Sequence, residues 1–105
     1  MVMTFAVQEP RDWLIGHNEV YTLRPKLRKR GRGKTIREPL MTRIPEAPFG
    51  KGNVTFVKEI KNDSELQAFV SKSGFDTVAE WRAKAKDSRF LYYVNEFEDL
   101  SGPHP

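Results

Sequence analysis

The sequence predicts an α+β domain whose strands curl into a small barrel flanked by short helices. A chain of 105 residues, 38% apolar and 11% aromatic, is suited to one domain with a small core. Five stretches alternate apolar and polar residues or carry long apolar runs, as strands do. Segments with helix-start signals lie between them. We therefore expect a single domain over residues 1–100 and a frayed tail at 101–105.

The first stretch, residues 1–7, has apolar residues on both faces and is predicted to be a buried strand. A short helix should begin at residues 9–12, where Pro10 and acidic residues favour a helix N-terminus. Gly16 is predicted to end this helix. Its predicted buried side consists of Trp13, Leu14 and Ile15.

Three further strands follow the helix. Residues 19–24 place Val20, Thr22 and Arg24 on one face and the other three on the opposite face, and their β-branched and aromatic content indicates a strand. Residues 34–44 predict a weaker strand, because Pro39 must lie at an edge or a bulge. Residues 53–60 predict a strand with Val54, Phe56 and Ile60 on one side.

The second half of the chain contains two predicted helices and the last strand. Asp63 or Ser64 is expected to cap the first helix, which buries Leu66, Phe69 and Val70 and ends at Gly74. Thr77 and Glu80 have the spacing of a capping box and open the second helix. Residues 89–97 predict the strongest strand, in a central position.

The composition limits the chemistry. The chain has no cysteine, so disulfides, thiol catalysis and cysteine-based zinc sites are excluded. Its two histidines, His17 and His104, are too few for a histidine metal cluster, and we expect neither metal nor cofactor. We also expect no signal peptide, no membrane span and a cytoplasmic location.

Charge is concentrated in residues 24–37, RPKLRKRGRGKTIR, which we call the basic segment. Eight of its residues are basic and none is acidic: Arg24, Lys26, Arg28, Lys29, Arg30, Arg32, Lys34 and Arg37. Outside it, ten basic residues stand against fourteen acidic ones. A chain with its positive charge concentrated in this way is expected to bind a polyanion, most commonly nucleic acid.

Basic runs are also solvated turns, localisation signals or membrane-surface patches. Three features favour nucleic acid. Arginine predominates over lysine, Gly31 and Gly33 allow close backbone approach, and the aromatic residues Trp13 and Tyr21 are nearby in the sequence.

Four segments in order resemble the ASCH domains of the pseudouridine-synthase-and-archaeosine-transglycosylase (PUA)-like superfamily. Residues 15–24 resemble the family's glycine-to-arginine motif, and residues 52–60 its central strand. Residues 73–81, SGFDTVAEW, resemble its helical element, and residues 93–98 its closing strand. The resemblance implies a small stand-alone prokaryotic or archaeal ASCH-like protein, with a β-barrel, a cleft between barrel and helices, and RNA binding.

Some ASCH proteins are amidohydrolases of acetylated cytidine that use a Lys, a Thr and a Glu. Only the Thr has a counterpart here, Thr22. Glu19 stands at the Lys position and Ser73 near the Glu position. That chemistry needs a group that activates the nucleophile and a carboxylate that moves its proton. The resemblance therefore implies no such catalysis and leaves Thr22 as the one candidate.

We thus predict a non-enzymatic nucleic-acid-binding module, with RNA preferred over DNA. The eight basic residues would contact phosphates, and Tyr21 or Trp13 would stack a base in the cleft. A hydrolase or ribonuclease, and a module that docks an acidic protein, are the alternatives. A monomer is expected, with a weak dimer as the other possibility.

Overall fold

A computed structural model of the chain describes residues 2–27, 34–42 and 48–100. One five-stranded sheet, curled into a half-barrel, forms its centre. Its strands are β1 (Met3–Thr4), β2 (Glu19–Arg24), β3 (Thr35–Met41), β4 (Gly50–Glu59) and β5 (Phe90–Asp99). The spatial order is β1, β3, β4, β5, β2, so β1 and β2 are the edges. β1 runs parallel to β3, and the other neighbours are antiparallel.

Four short helices pack on the sheet. They are α1 (Gln8–His17), two 3₁₀ helices at Asp63–Ala68 and Val70–Lys72, and α2 (Val78–Ala85). Among the described helices, none is long and apolar enough to cross a membrane. The α+β class and the barrel-like sheet predicted from the sequence are confirmed at this level.

Several predicted elements are confirmed closely. The strand predicted at residues 19–24 is β2, and those predicted at 53–60 and 89–97 lie in β4 and β5. β3 contains Pro39 opposite Lys51, just beyond the two-residue pairing with β1, which agrees with an edge position. Thr77 accepts a hydrogen bond from the Glu80 amide at 3.1 Å and caps α2, as predicted.

The first strand and the end of α1 differ from prediction. The strand forms only at Met3–Thr4, because the chain then turns into α1. Gly16 lies inside α1, and Asn18 takes the left-handed conformation at φ 66° with its amide on the Leu14 carbonyl. Ile15 is 48% exposed, since only the Pro10 and Leu14 side of α1 faces the sheet.

The predicted helix after residue 62 is a pair of 3₁₀ helices, and its cap lies one residue earlier than predicted. Asn62 accepts a hydrogen bond from the Ser64 amide at 3.2 Å, while Glu65 accepts one from the Asn62 amide at 3.0 Å. This reciprocal pair is a capping box. A side-chain donor from Lys58, with the amides of Asn62 and Lys61, lowers the pKa of Glu65 to about 2.

Each face of the sheet carries its own core. On the inner face, α1 covers Val20, Tyr92 and Val94 among others. On the outer face, the 3₁₀ helices and α2 cover Leu23 and Leu91. Successive residues of β5 thus serve opposite cores, which explains the nearly continuous apolar run in its sequence.

Gly74 lies where the turn after the second 3₁₀ helix contacts α1. Its φ is 91°, and a Cβ there would lie 2.4 Å from the Glu9 carbonyl oxygen at the start of α1. Only glycine permits this approach. The turn after the second 3₁₀ helix therefore reaches α1 and forms one side of the site described next.

Candidate functional site

The edge strands β1 and β2 approach each other where β2 ends, and a side chain joins them. The Arg24 guanidinium donates a hydrogen bond to the Thr4 backbone carbonyl. Its central carbon also lies 4.8 Å from the centre of the Phe5 ring, a cation–π distance. Arg24 thus occupies the seam of the half-barrel.

A cavity of about 140 Å³ opens beside this seam, and we call it the cleft. It lies between the chain leading into α1, the end of β2, the turn at Phe75, and α2 with its following turn. The described residues lining it are Thr4, Phe5, Ala6, Val7, Pro10, Thr22, Leu23, Arg24, Phe75, Trp81, Lys84, Ala85 and Ser88.

Buried apolar side chains form the walls of the cleft. Phe5 belongs to the inner core, whereas Leu23, Phe75 and Trp81 belong to the outer core. The cleft therefore lies where the two cores meet at the edge of the sheet. Such walls suit a flat apolar group.

Two hydroxyl groups that line the cleft have no hydrogen bond within the described part of the chain. Thr22 is 5% exposed and Ser88 is 7% exposed. Neither hydroxyl bonds to any residue that the structure describes. Neither hydroxyl oxygen is among the buried, unpaired side-chain atoms of the described residues, so both are accessible from the cleft. These two hydroxyls are therefore available to a ligand in the cleft.

Positive charge surrounds the opening. Arg24 and Lys84 line the cleft, and a second depression of about 200 Å³ adjoins it at Thr4 and Arg24 and includes Lys26. Within the described part of the chain, Lys26 and Lys84 make no ion pair, and the residues lining the two depressions include no Asp or Glu. The site can therefore attract an anion.

The structure brings together Thr22, Arg24 and Lys26 from the predicted set. Lys34 is exposed just before β3. Arg37 instead bonds to the Asn53 side chain at 3.2 Å, the Glu96 carbonyl at 3.0 Å and the Glu98 carboxylate at 3.2 Å. Arg28, Lys29, Arg30 and Arg32 lie outside the described residues.

The two predicted stacking residues do not line the cleft. Trp13 stacks on His17 with 3.6 Å between ring centres. Tyr21 packs against Phe69 and Tyr93 at 4.9 and 4.7 Å. The aromatic rings that do line the cleft are Phe5, Phe75 and Trp81.

Tyr21 instead adjoins polar side chains that have hydrogen-bond partners, Glu19, Lys72 and Tyr93, and together with the neighbouring Ser73 we call them the outer network. Glu19 accepts hydrogen bonds from Lys72 at 3.0 Å and Tyr93 at 2.8 Å, and these bonds lower its pKa. Burial, with the bond to Glu19, raises the pKa of Tyr93 to about 12. The Ser73 hydroxyl, fully buried, donates to the Val70 carbonyl at 2.7 Å and accepts from the Phe75 amide at 3.1 Å.

Residues that the sequence analysis missed complete the cleft. The sequence analysis identified none of Lys84, Trp81 and Ser88 as a site residue. Lys84 follows Trp81 by three residues on α2, so helical spacing places a cation beside a buried ring. That spacing could have identified Lys84 from the sequence, whereas no sequence pattern points to Ser88.

Comparison with family models, with characterised proteins and with solved structures gives no match. The resemblance to ASCH domains therefore stays a prediction. Within the described part of the chain, no three His, Asp or Glu side chains cluster as metal ligands would. The site defined by the structure is a partly apolar cleft with cationic residues at its opening.

Proposed function

We propose that this protein is a nucleic-acid-binding module of the ASCH, PUA-like type that binds single-stranded RNA. Phosphates would follow the basic segment, and one nucleotide would enter the cleft. The preference for RNA over DNA rests on the family resemblance. Binding to the grooves of a duplex is not required, because a single strand exposes its bases.

One observation supports this proposal most strongly. Arg24 lines both depressions and is also the first residue of the basic segment. An RNA strand whose phosphates bind that segment would therefore also reach the opening of the cleft. The apolar walls suit a base, while Lys26 and Lys84 suit flanking phosphates.

The two cleft-facing hydroxyls favour a ligand that can form hydrogen bonds inside the cleft. Thr22 and Ser88 can each donate and accept a hydrogen bond. A base or a ribose supplies matching groups, whereas a bare phosphate does not use the apolar walls. Binding should thus have a salt-dependent part from the basic segment and a salt-independent part from the cleft.

The experiment is a titration of labelled single-stranded RNA against the full chain over a range of salt concentrations, read by fluorescence anisotropy. With about four to six phosphate contacts, log K should fall against log salt with a slope of roughly −3 to −4, at about 0.7 per phosphate of a single strand. Replacing Arg28 and Arg30 with Gln should reduce the steepness by about 1.4. At about 0.1 M salt, affinity should fall roughly 25-fold.

Lys51 and Lys61 provide the matched control. Both are exposed and lie outside the basic segment and the cleft. Replacing them with Gln removes the same charge and should change the slope little. Equal losses in the two double variants would mean that net charge alone drives binding, and no RNA binding by the native chain would contradict the proposed function.

Hydrolysis by Thr22 is a second candidate, because its unbonded hydroxyl shares the cleft with Lys84. Against it, Glu19 and Ser73, which stand at the family's Lys and Glu positions, belong to the outer network. Mass analysis after incubation with RNA and with acetylated cytidine separates the candidates. A product that disappears in Thr22→Val would favour the hydrolase.

A further inference from the structure

We propose that Arg82 is a positioning residue that holds Ser88 in the wall of the cleft and thereby controls binding of the neutral part of the ligand. This inference rests on the proposed function and extends it to a residue that does not line the cleft. It follows from the hydrogen bonds of Arg82, the backbone of Lys86 and the burial of Ser88.

The Arg82 side chain connects three parts of the chain. Its Nη1 donates to the backbone carbonyls of Lys86 and, at 2.8 Å, of Ser88. Its Nε and Nη2 lie 3.1 and 3.0 Å from an Asp63 carboxylate oxygen. Arg82 therefore folds the chain after α2 back onto the helix and ties it to the first 3₁₀ helix.

The chain after α2 makes a tight turn. The Ser88 amide donates to the Ala85 carbonyl at 3.0 Å, as in a β-turn over residues 85–88. Lys86 has φ 55° and ψ −120°, which matches the first central position of a type II′ turn. Glycine is favoured there, and a residue with a side chain keeps this conformation only when its surroundings hold it. The two carbonyl bonds from Arg82 provide that support.

The turn fixes Ser88 at both ends of its backbone. Its amide is bound by Ala85 and its carbonyl by Arg82. Its hydroxyl remains unbonded within the described residues, and the side chain is 7% exposed and lines the cleft. Arg82 thus holds the backbone of Ser88 in place, which fixes the position from which its hydroxyl reaches the cleft, and such preorganisation favours specific binding.

A double-mutant cycle between Arg82 and Ser88 tests this inference, with affinity for the same single-stranded RNA as the readout. Ser88→Ala in the native background should weaken binding about two- to tenfold, the range for one neutral hydrogen bond. In an Arg82→Gln background, the same change should weaken binding less than about twofold, because the hydroxyl is no longer held in place. All titrations are made below the unfolding transition of every variant.

Asp63→Asn is the matched control, because it removes the ion pair and leaves the donors for the two carbonyls. Its affinity for RNA should equal that of the native chain. Arg82→Lys replaces Arg82→Gln if the latter does not fold, since one ammonium cannot reproduce the planar guanidinium geometry.

A purely structural role for Arg82 would lower the unfolding temperature without coupling to Ser88. If native binding is intact and Ser88→Ala has the same effect in both backgrounds, the positioning role is wrong and the proposed function stands. If the native chain does not bind RNA, the proposed function fails and the positioning role fails with it.

Discussion

The hydroxyl and charged groups of the outer network have hydrogen-bond partners, whereas the two hydroxyls of the cleft have none among the described residues. In the outer network, Glu19 binds both Lys72 and Tyr93, and the buried Ser73 hydroxyl has two backbone partners. In the cleft, the residues Thr22 and Ser88 are largely buried, but their hydroxyl oxygens face the cleft and have no partner among the described residues. Both regions lie at β2, at different positions along the strand.

This difference separates polar groups that stabilise the fold from polar groups that serve a ligand. A bonded network gains nothing from a ligand, which would first have to break its bonds. A hydroxyl that faces the cleft without an intramolecular partner adds no hydrogen bond to the unliganded protein and gains one when a ligand enters. We therefore expect variants in the cleft to change binding and variants in the outer network to change stability.

Filling the cleft should have the largest effect on binding. Ala85 lines the cavity, and Ala85→Leu would place three further carbon atoms in it. RNA affinity should fall about tenfold or more, while the unfolding temperature stays equal or rises because the added atoms are buried. Anisotropy titration and thermal unfolding measure the two effects.

Ala83→Leu is the control for this variant, because Ala83 lies on the exposed side of α2. Its affinity should be native. If Ala85→Leu binds RNA with native affinity, the nucleotide lies elsewhere.

Tyr93→Phe should affect stability and leave binding unchanged. The raised pKa of Tyr93, about 12 against an ordinary 10.0, means that its contribution is complete below about pH 10 and is lost as the pH rises toward 12. The pKa of Lys72 is also raised, by its bond to Glu19, and adds loss in the same direction. Removing the phenol should lower stability at neutral pH by about 1 kcal/mol and make the alkaline loss shallower.

Urea unfolding from neutral to alkaline pH measures this effect, and RNA affinity at neutral pH should stay within about twofold of native. Tyr21→Phe is the matched control, because Tyr21 makes ring contacts in the same region. An unchanged alkaline profile in Tyr93→Phe would contradict the role of the outer network.

Lys86→Gly should have the smallest effect. Glycine adopts φ 55° without strain but loses more backbone entropy on folding, so the net gain in unfolding free energy should be about 0.5–1 kcal/mol. Ala83→Gly, inside α2, should lower it by about 1 kcal/mol. A loss of stability in Lys86→Gly would show that this turn is not strained.

Much of the fold could be predicted because it follows local patterns. β2 is rich in β-branched and aromatic residues, β5 is a nearly continuous apolar run, and Thr77 has the spacing of a cap, so these elements were predicted closely. The prediction that Gly16 ends α1 was wrong, because Asn18, two residues later, can also take a positive φ. Ile15 was wrongly predicted as buried because only tertiary packing decides which side of a short helix faces the sheet.

The candidate site could be predicted only in part. Thr22, Arg24 and Lys26 are close in sequence, and a charged segment or a family resemblance identifies them. Phe75, Trp81 and Ser88 reach the cleft through the close contact of Gly74 with α1 and through the turn after α2. No periodic pattern in the sequence predicts either contact, so the cleft could be identified only from the structure.

The most direct test compares Thr22→Val in the cleft with Ser73→Ala in the outer network, measuring unfolding free energy and RNA affinity for both. Thr22→Val should leave stability unchanged or raise it by up to about 1 kcal/mol, because the hydroxyl has no partner, and should weaken RNA binding about two- to tenfold. Ser73→Ala should lower stability by about 1–3 kcal/mol, because the Phe75 amide loses its acceptor. Tyr93→Phe, whose partner Glu19 does not line the cleft, is the variant that should leave affinity unchanged. A loss of stability in Thr22→Val together with native affinity for RNA would contradict the assignment of the cleft as the ligand site.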